Sequence, residues 1–424
     1  MDRAFLVGAP ARDLPKRLAD EHLEELARLT DTAGGEVVGT LVQRIARPHP
    51  RFYLGDGKAR QLADEVSESE ADLVVFDEDL SPAQGKNLEE LLGVRVMDRS
   101  ELILDIFATR ARSKESRMQV ELAQLEYLLP RLRRMWSHLS RIRGGIGLRG
   151  PGETQLETDR RLIGTRIGEL RRKLRDVAKA RAVQRQSREG SFRAALVGYT
   201  NAGKSSLLRA LSGADLFVED RLFATLDSVT RTVDLGSGHE ALVTDTVGFI
   251  RKLPHDLVAS FRSTLEEAGE SDVLLHVIDA SHSDWEEHFE VVDGVLEELG
   301  LEEHDRVLVF NKIDRVTHAE EGALRERIRA LEPIPAVFVS ALDPDSLDAL
   351  RDTLRARALA RLAHVVVSVP VQDGETIAAL YREGEVESRV DTDTSVAITA
   401  RLPIAVAGRL ARRDGVTVEN VAQG

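Results

Sequence analysis

Two short stretches of this chain have the residue types and spacing to hold a nucleotide. Gly198-Tyr199-Thr200-Asn201-Ala202-Gly203-Lys204-Ser205 fits G-x-x-x-x-G-K-[ST] at every position. Glycines let such a loop bend until its N–H groups converge on phosphate oxygens, and a helix that follows adds the positive potential of its N-terminus. Lys204 has the reach for β- and γ-phosphates, and Ser205 offers a hydroxyl to Mg²⁺. The second stretch, Asn311-Lys312-Ile313-Asp314, ends in a carboxylate. Against a guanine edge that carboxylate accepts hydrogen bonds from the ring N–H and the exocyclic amino group. Adenine offers no such pair and would leave it buried and unpaired, at a cost of ~1–3 kcal/mol. Together the two stretches imply GTP or GDP.

Three further segments fall in the order that this chemistry needs. Asp245-Thr246-Val247-Gly248 offers a carboxylate that can hold Mg²⁺ through water and a glycine N–H for the γ-phosphate. Phe223-Ala224-Thr225-Leu226-Asp227 lies between it and the phosphate loop, and Thr225 is the expected switch threonine, closing on Mg²⁺ when a γ-phosphate is present. Ser340-Ala341-Leu342 is placed to touch the base through its backbone. Lys204, Thr225, Gly248 and Asn201 are the expected catalytic set. Where many GTPases carry a water-orienting glutamine, this chain has Phe249. A phenyl ring cannot align a nucleophile, so hydrolysis should be slow without help. In the alternative reading Phe249 packs in the core and another residue orients the water. Asn201 suggests one source of help, since GTPases with asparagine at this point of the loop resemble those that bind K⁺ beside the phosphates.

The elements that must position these residues are legible as apolar runs. Ala194–Val197, Ala241–Val243, Arg306–Phe310 and Ala336–Val339 read as strands, and Ser206–Leu211 as a helix. The phosphate loop therefore joins a strand to a helix, and Asn311–Asp314 sits at a strand's carboxyl end, where open α/β sheets bind ligands. We expect a GTPase domain over residues 191–363.

Residues 1–100 read as a small α/β domain, with strands at Ala4–Val7, Glu36–Val42 and Asp72–Phe76 and a helix from Leu18 to Leu29. Gly55-Asp56-Gly57-Lys58 reads as a tight turn. Over residues 101–190 two heptad seams appear, Met118-Leu122-Leu125-Leu129-Leu132-Trp136-Leu139 and Ile163-Ile167-Leu170-Leu174-Val177. They flank Gly144-Gly145-Ile146-Gly147-Leu148-Arg149-Gly150-Pro151-Gly152, which cannot be helical, so the expected form is a long antiparallel helical hairpin with a glycine-rich tip. Pro130 should kink its first arm. Residues 364–424 read as a small α+β domain, with a strand at Val365–Pro370, a helix at Glu375–Arg382 and one or two strands at Glu387–Leu402. The fold class is α/β: a P-loop GTPase domain with a mostly parallel sheet and helices on both faces, a small α/β domain and the hairpin before it, and an α+β domain after it.

Charge separates the hairpin from the rest. The chain of 424 residues carries −14, yet residues 110–190 hold 21 lysines and arginines against 9 acids, a net of +12 that leaves −26 elsewhere. A basic segment on an acidic protein suits a polyanion, and nucleic acid is the natural one. The off-seam arginines include Arg131, Arg133, Arg134, Arg141, Arg143, Arg160, Arg161 and Arg166. A basic helix face answering acidic surface elsewhere in the chain is the competing explanation. With no cysteine, disulfides and thiolate sites are excluded. No apolar run approaches the ~20 residues that span a bilayer. No signal-peptide pattern opens the chain, and with a GTP site this argues for the cytoplasm. The 11 histidines show no metal-ligand spacing, and His282 and His288 read as the solvated start of a helix.

Gly144–Arg161, running GGIGLRGPGETQLETDRR, resembles the signature of the HflX GTPases in the Obg-HflX superfamily. So do Leu80-Ser81-Pro82 with Asn87-Leu88-Glu89, Asp98–Phe107, Val120–Leu125 and Asp245–Pro254. The resemblance extends to about residue 363. It implies a GTPase that binds the large (50S) ribosomal subunit, with the helical hairpin on 23S ribosomal RNA near the peptidyl transferase centre, and an action in splitting stalled ribosomes or in ribosome biogenesis. Arg141, Arg143 and Arg149 would then hold the tip on RNA, with Arg160 and Arg161 beside them. The missing glutamine is normal for that family, which depends on the ribosome for faster turnover. The protein is expected to be monomeric when free. The alternative is a GTPase switch for a protein partner, with the hairpin as a dimerisation arm.

Overall fold

The computed structural model describes residues 2–135, 151–186, 191–214, 221–236, 238–253, 267–331 and 334–421. The first sheet has four parallel strands, β1 (Arg3–Gly8), β2 (Glu36–Val42), β3 (Leu73–Phe76) and β4 (Arg95–Asp98), in the order β2-β1-β3-β4. Parallel neighbours need crossovers, which are supplied by α1 (Lys16–Thr32), α2 (Asp56–Glu68) and α3 (Pro82–Leu92). The central strands β1 and β3 are almost wholly buried, as continuous apolar runs covered on both faces must be. Ser81 and Gln84 close a capping box at the start of α3, and Asp98 caps α4 (Arg99–Arg110) by accepting from the Glu101 N–H. Gly55–Lys58 is not the tight turn expected from its glycines. Gly55 is the N-cap of α2 and residues 56–58 form its first turn, with Asp56 favourably placed at the helix's positive end.

From Met118 to Leu129 and from Ile163 to Val177 the two heptad seams form one apolar cluster between α5 (Lys114–Met135) and α6 (Pro151–Gln186). Met118 and Leu122 are buried with Ile167 and Leu170, while Leu125, Leu129, Ile163, Leu174 and Val177 pack around them. Ion pairs from Arg166 to Glu121 and from Arg171 to Glu126 flank the seam. Helix α5 runs through Pro130 to Met135. Trp136, Leu139 and the tip residues Gly144–Gly150 lie outside the described residues; Pro151 and Gly152, expected in the non-helical tip, instead form the first turn of α6, where proline's missing N–H and fixed φ are tolerated.

The second sheet has the order β10-β9-β8-β5-β7-β6. Its strands are β5 (Phe192–Gly198), β6 (Val229–Gly236), β7 (His239–Asp245), β8 (Val273–Asp279), β9 (Arg306–Asn311) and β10 (Ala336–Phe338). All pairings are parallel except β6 with β7. Helices α7 (Lys204–Ser212), α8 (Trp285–Glu298), α9 (His318–Leu331) and α10 (Asp348–Ala360) connect them. One apolar cluster runs unbroken from Leu6 and Val75 of the first sheet through Ile103 and Phe107 of α4 to Val197, Phe223 and Phe249 around the phosphate loop. Burial at this scale is the largest favourable term in folding, so the two sheets are docked as one packed body.

The third sheet is antiparallel, β12-β13-β11-β14, made of β11 (Leu362–Pro370), β12 (Glu385–Asp391), β13 (Ser395–Pro403) and β14 (Thr417–Asn420). Strict alternation along β13 buries Val396, Ile398, Ala400 and Leu402 under α11 (Gly374–Glu383) and α12 (Ile404–Leu410). Of the one or two strands open over Glu387–Leu402 the structure has two, β12 and β13, beside the expected β11 and α11; α12 and β14 are additions. Among the described residues no helix is long and apolar enough to cross a membrane.

Candidate GTP site

The phosphate loop is the turn from β5 into α7. Gly198 has φ 153° and Gly203 φ 95°. A Cβ on Gly198 would lie 2.3 Å from the Val277 carbonyl oxygen, and one on Gly203 would lie 2.3 Å from Asn311 Nδ2. Conformation and space therefore both require glycine at these two points. Asn201 also stands in the left-handed region, at φ 59°, which asparagine tolerates better than most residues. Lys204 is buried, and its ammonium donates to Gly198 O at 3.0 Å and Tyr199 O at 2.9 Å. Burial pushes its pKa down to about 8, against the pull of Asp245.

Three oxygens converge beside this loop. Ser205 Oγ lies 2.7 Å from Thr225 Oγ1 and donates to Asp245 Oδ2 at 2.6 Å. The other carboxylate oxygen, Asp245 Oδ1, is buried without a hydrogen-bond partner. Burial raises the Asp245 pKa, opposed by Lys204 and the Ser205 hydroxyl. An all-oxygen set with an orphaned carboxylate oxygen fits a hard cation such as Mg²⁺. Gly248 comes within 2.8 Å of the Thr200 Cα when given a Cβ, and within 3.0 Å of Lys204 Nζ, so its backbone can approach the loop as no other residue could.

On the base side, Asn311 donates from Nδ2 to Ala202 O at 2.9 Å and accepts from the Ala341 N–H at 3.1 Å. Lys312 donates to Asn201 O at 2.9 Å and to Asp279 at 2.7 Å. Both side chains therefore tie this segment to the phosphate loop and to β8. Asp314 is held by a hydrogen bond from Ser340 Oγ, which also accepts from the Leu342 N–H at 3.2 Å. Ile313 packs under the segment.

Several side chains of the expected nucleotide-binding set turn elsewhere. The Tyr199 ring leaves the pocket, stacks on His288 at 3.8 Å, donates to Glu25 and accepts from the Arg251 N–H. Its side chain belongs to the contact with the first sheet because its neighbours in space, Glu25 and His288, are distant in sequence. Asp227 faces the hairpin base: its carboxylate accepts the N–H groups of Arg112 and Ser113 at 3.1 Å each, where α5 begins. Thr246 Oγ1 donates to Leu196 O, and Leu226 and Val247 are core residues. Phe249 is fully buried and its backbone pairs with the loop at Gly198 and Thr200, in accord with the packing alternative. Ala224 and Thr225 line the phosphate-side cavity, where Arg221, overlooked in the sequence, joins them. Arg160 and Arg161 lie on α6, and Arg131 is paired with Asp98 rather than presented outward. Arg141, Arg143 and Arg149 lie outside the described residues. His282 and His288 are not at a solvated helix start; they meet Glu21 of α1, a partner that no spacing along the chain could reveal.

Three family profiles cover most of the chain. "GTP-binding GTPase N-terminal" matches residues 20–108, "GTP-binding GTPase Middle Region" matches 110–188 and "50S ribosome-binding GTPase" matches 193–312. The chain is 44% identical to GTPase HflX of Magnetococcus marinus over 99% of its own length and 97% of that protein's. The chain belongs to the HflX GTPase family. GTPase HflX of Escherichia coli K12 is 43% identical, with 94% of each chain covered. Among solved structures, a GTP-binding protein from Sulfolobus solfataricus in complex with GDP is similar at 26% identity and TM-score 0.44, covering 84% of this chain and 98% of that one. As a member of the HflX family this chain is a GTP hydrolase, and the loop, oxygen cluster and Asn311–Asp314 segment are the parts of this HflX chain with the chemistry for that reaction.

Proposed function

We propose that this GTPase binds the large ribosomal subunit through the basic pair α5 and α6, and that contact with the ribosome accelerates its hydrolysis of GTP in ribosome splitting or biogenesis. The single observation that carries the reading is Asp227. It belongs to the switch segment next to Thr225, and its carboxylate holds the N–H groups of Arg112 and Ser113, the two residues that lead into the basic α5. A load on the hairpin is thereby passed to the residue set that must close on GTP. The profile description for residues 193–312 agrees in naming a 50S ribosome-binding GTPase.

In this reading the loop N–H groups and Lys204 hold the β- and γ-phosphates, and Asp314 reads guanine. Ser205, Thr225 and Asp245 would hold Mg²⁺, which when bound would supply charge neutralisation at the phosphates. With Phe249 in the core, help for hydrolysis comes from outside the Asp245–Gly248 motif, and in this reading Asn201 would hold K⁺ beside the phosphates. Turnover at equal ionic strength should be several-fold faster in KCl than in NaCl; equal rates would remove the ion from the scheme.

The helix pair carries its own covered seam, which supports a monomer over the dimerisation arm. Arginines outside that seam, Arg160 and Arg161 among them, are the phosphate-binding set, in the cytoplasm where ribosomes work. The test is cosedimentation with purified 50S subunits in the presence of a non-hydrolysable GTP analogue. Arg160→Glu with Arg161→Glu should weaken binding by about tenfold or more and flatten its salt dependence. Binding at wild-type strength would place the RNA contact elsewhere.

A further inference from the structure

A second cluster of metal-binding side chains lies on the far side of Tyr199, between the first sheet's α1 and the segment after β8. Glu21, His282 and His288 each present one ligand atom, and these atoms all lie within 4.8 Å of one another. Glu21 Oε1 is 3.2 Å from His282 Nε2, and the two imidazole rings are 4.3 Å apart. The other Glu21 oxygen, Oε2, is buried and makes no hydrogen bond; the nearest cation to it is the largely exposed Arg17 guanidinium, at 3.9 Å. A carboxylate oxygen in that condition is costly unless a cation or a proton completes it. Four carboxylates line this cavity, Glu21, Glu25, Asp279 and Glu287, against the guanidiniums of Arg28 and Arg251.

We propose that Glu21, His282 and His288 bind a divalent transition-metal ion of the Zn²⁺ class, which pins α1 onto the GTPase sheet beside the phosphate loop. Two imidazoles and one carboxylate select such an ion over Mg²⁺, which prefers oxygen. Three protein ligands leave a fourth, tetrahedral position for water. Bonds of ~2.0–2.2 Å require the three ligand atoms to close to ~3.3–3.5 Å from one another, a side-chain movement of about 1 Å. Binding through His282 Nε2 puts a proton on Nδ1 and gives up the present contact from the Asp284 N–H, which at 3.2 Å is a weak one. The stack of His288 on Tyr199 fixes that ring's plane, so the ion would sit one side chain from the phosphate loop. Because the ligands come from two separate sheets' connections, the ion binds only when these are docked, and it stabilises the docked state by mass action. The site lies outside the proposed GTP and ribosome contacts and stands independently of them.

The experiment uses the full chain saturated with Mg²⁺ and GDP, so that the nucleotide's own cation site is filled, and titrates Zn²⁺ or Co²⁺ alone. The expected result is one saturable equivalent, a visible Co²⁺ absorption band of a low-coordinate N/O site, and a Zn²⁺-dependent rise in melting temperature. Glu21→Gln and His282→Gln should each weaken binding by roughly tenfold or more and abolish the melting shift. Circular dichroism and GDP binding report whether each variant is folded. Should Glu21→Gln not fold, His282→Gln decides alone. No saturable binding to the wild type, or equal affinity in a folded variant, overturns the proposal.

Discussion

Asp314 shows how the four residues of one motif divide their work. Asn311 and Lys312 spend their polar groups on the protein itself, joining the phosphate loop to β8 and to Ala341. Only Asp314 is left to read a base, and Ser340 holds it in place. Replacing it by asparagine keeps the shape but puts an N–H₂ where a charged acceptor is needed. Asp314→Asn should weaken GDP binding by ~10–100-fold, the worth of ~1–3 kcal/mol for mispaired polar groups, as measured by competition with a fluorescent guanine nucleotide. A change of less than twofold would contradict the assignment. The motif positions were legible because each rests on a short, ordered spacing. The direction in which the Tyr199 and Asp227 side chains turn was not legible, because spacing places a residue near the pocket without fixing where its side chain points.

Between elements, the first sheet grips the GTPase sheet through buried charges. Asp77 and Glu78 follow β3, Glu25 comes from α1 and Arg99 opens α4. Arg251 and Lys252 arrive from just beyond the Asp245–Gly248 motif. Arg99 donates to Asp77 at 2.9 Å and pairs with Glu25, while Arg251 and Lys252 each reach Asp77 at 2.8 Å. Burial pushes the Asp77 and Glu25 carboxyls up, but the cations overcome it and hold both below the ordinary range. Depressed carboxylates stabilise the fold fully above their unfolded pKa of about 4 and lose that contribution as pH falls through it and below. The melting temperature should therefore be insensitive to these groups from pH 7 to about 5 and drop below about 4. Asp77→Asn leaves cations buried and underpaired, which should cost ~3–5 kcal/mol at neutral pH and make the acid-side drop shallower. An unchanged melting temperature at pH 7 would contradict this. The network joins residues 22 to 226 positions apart at no regular spacing, so no sequence pattern could expose it. Strands β1, β2 and β3 could be read as short apolar runs, and the heptad seams because their partners lie at a fixed period of 3.5 residues.

Across the whole molecule one chain of contacts runs from the basic α5 and α6 through Asp227 at the base of α5 and Thr225 beside Ser205 and Asp245 to the phosphate loop. The charge asymmetry was visible in composition alone, because 21 basic residues within residues 110–190 stand out from an acidic chain. The coupling was not, since it depends on Asp227 turning toward Ser113 rather than toward the nucleotide. The most direct test is GTP hydrolysis by the full chain, alone and with purified 50S subunits, at two salt concentrations. The account predicts slow turnover alone and strong stimulation by 50S that fades as salt rises, with Asp227→Ala keeping the slow rate and losing most of the stimulation. Hydrolysis that is unaffected by 50S subunits at either salt would contradict it.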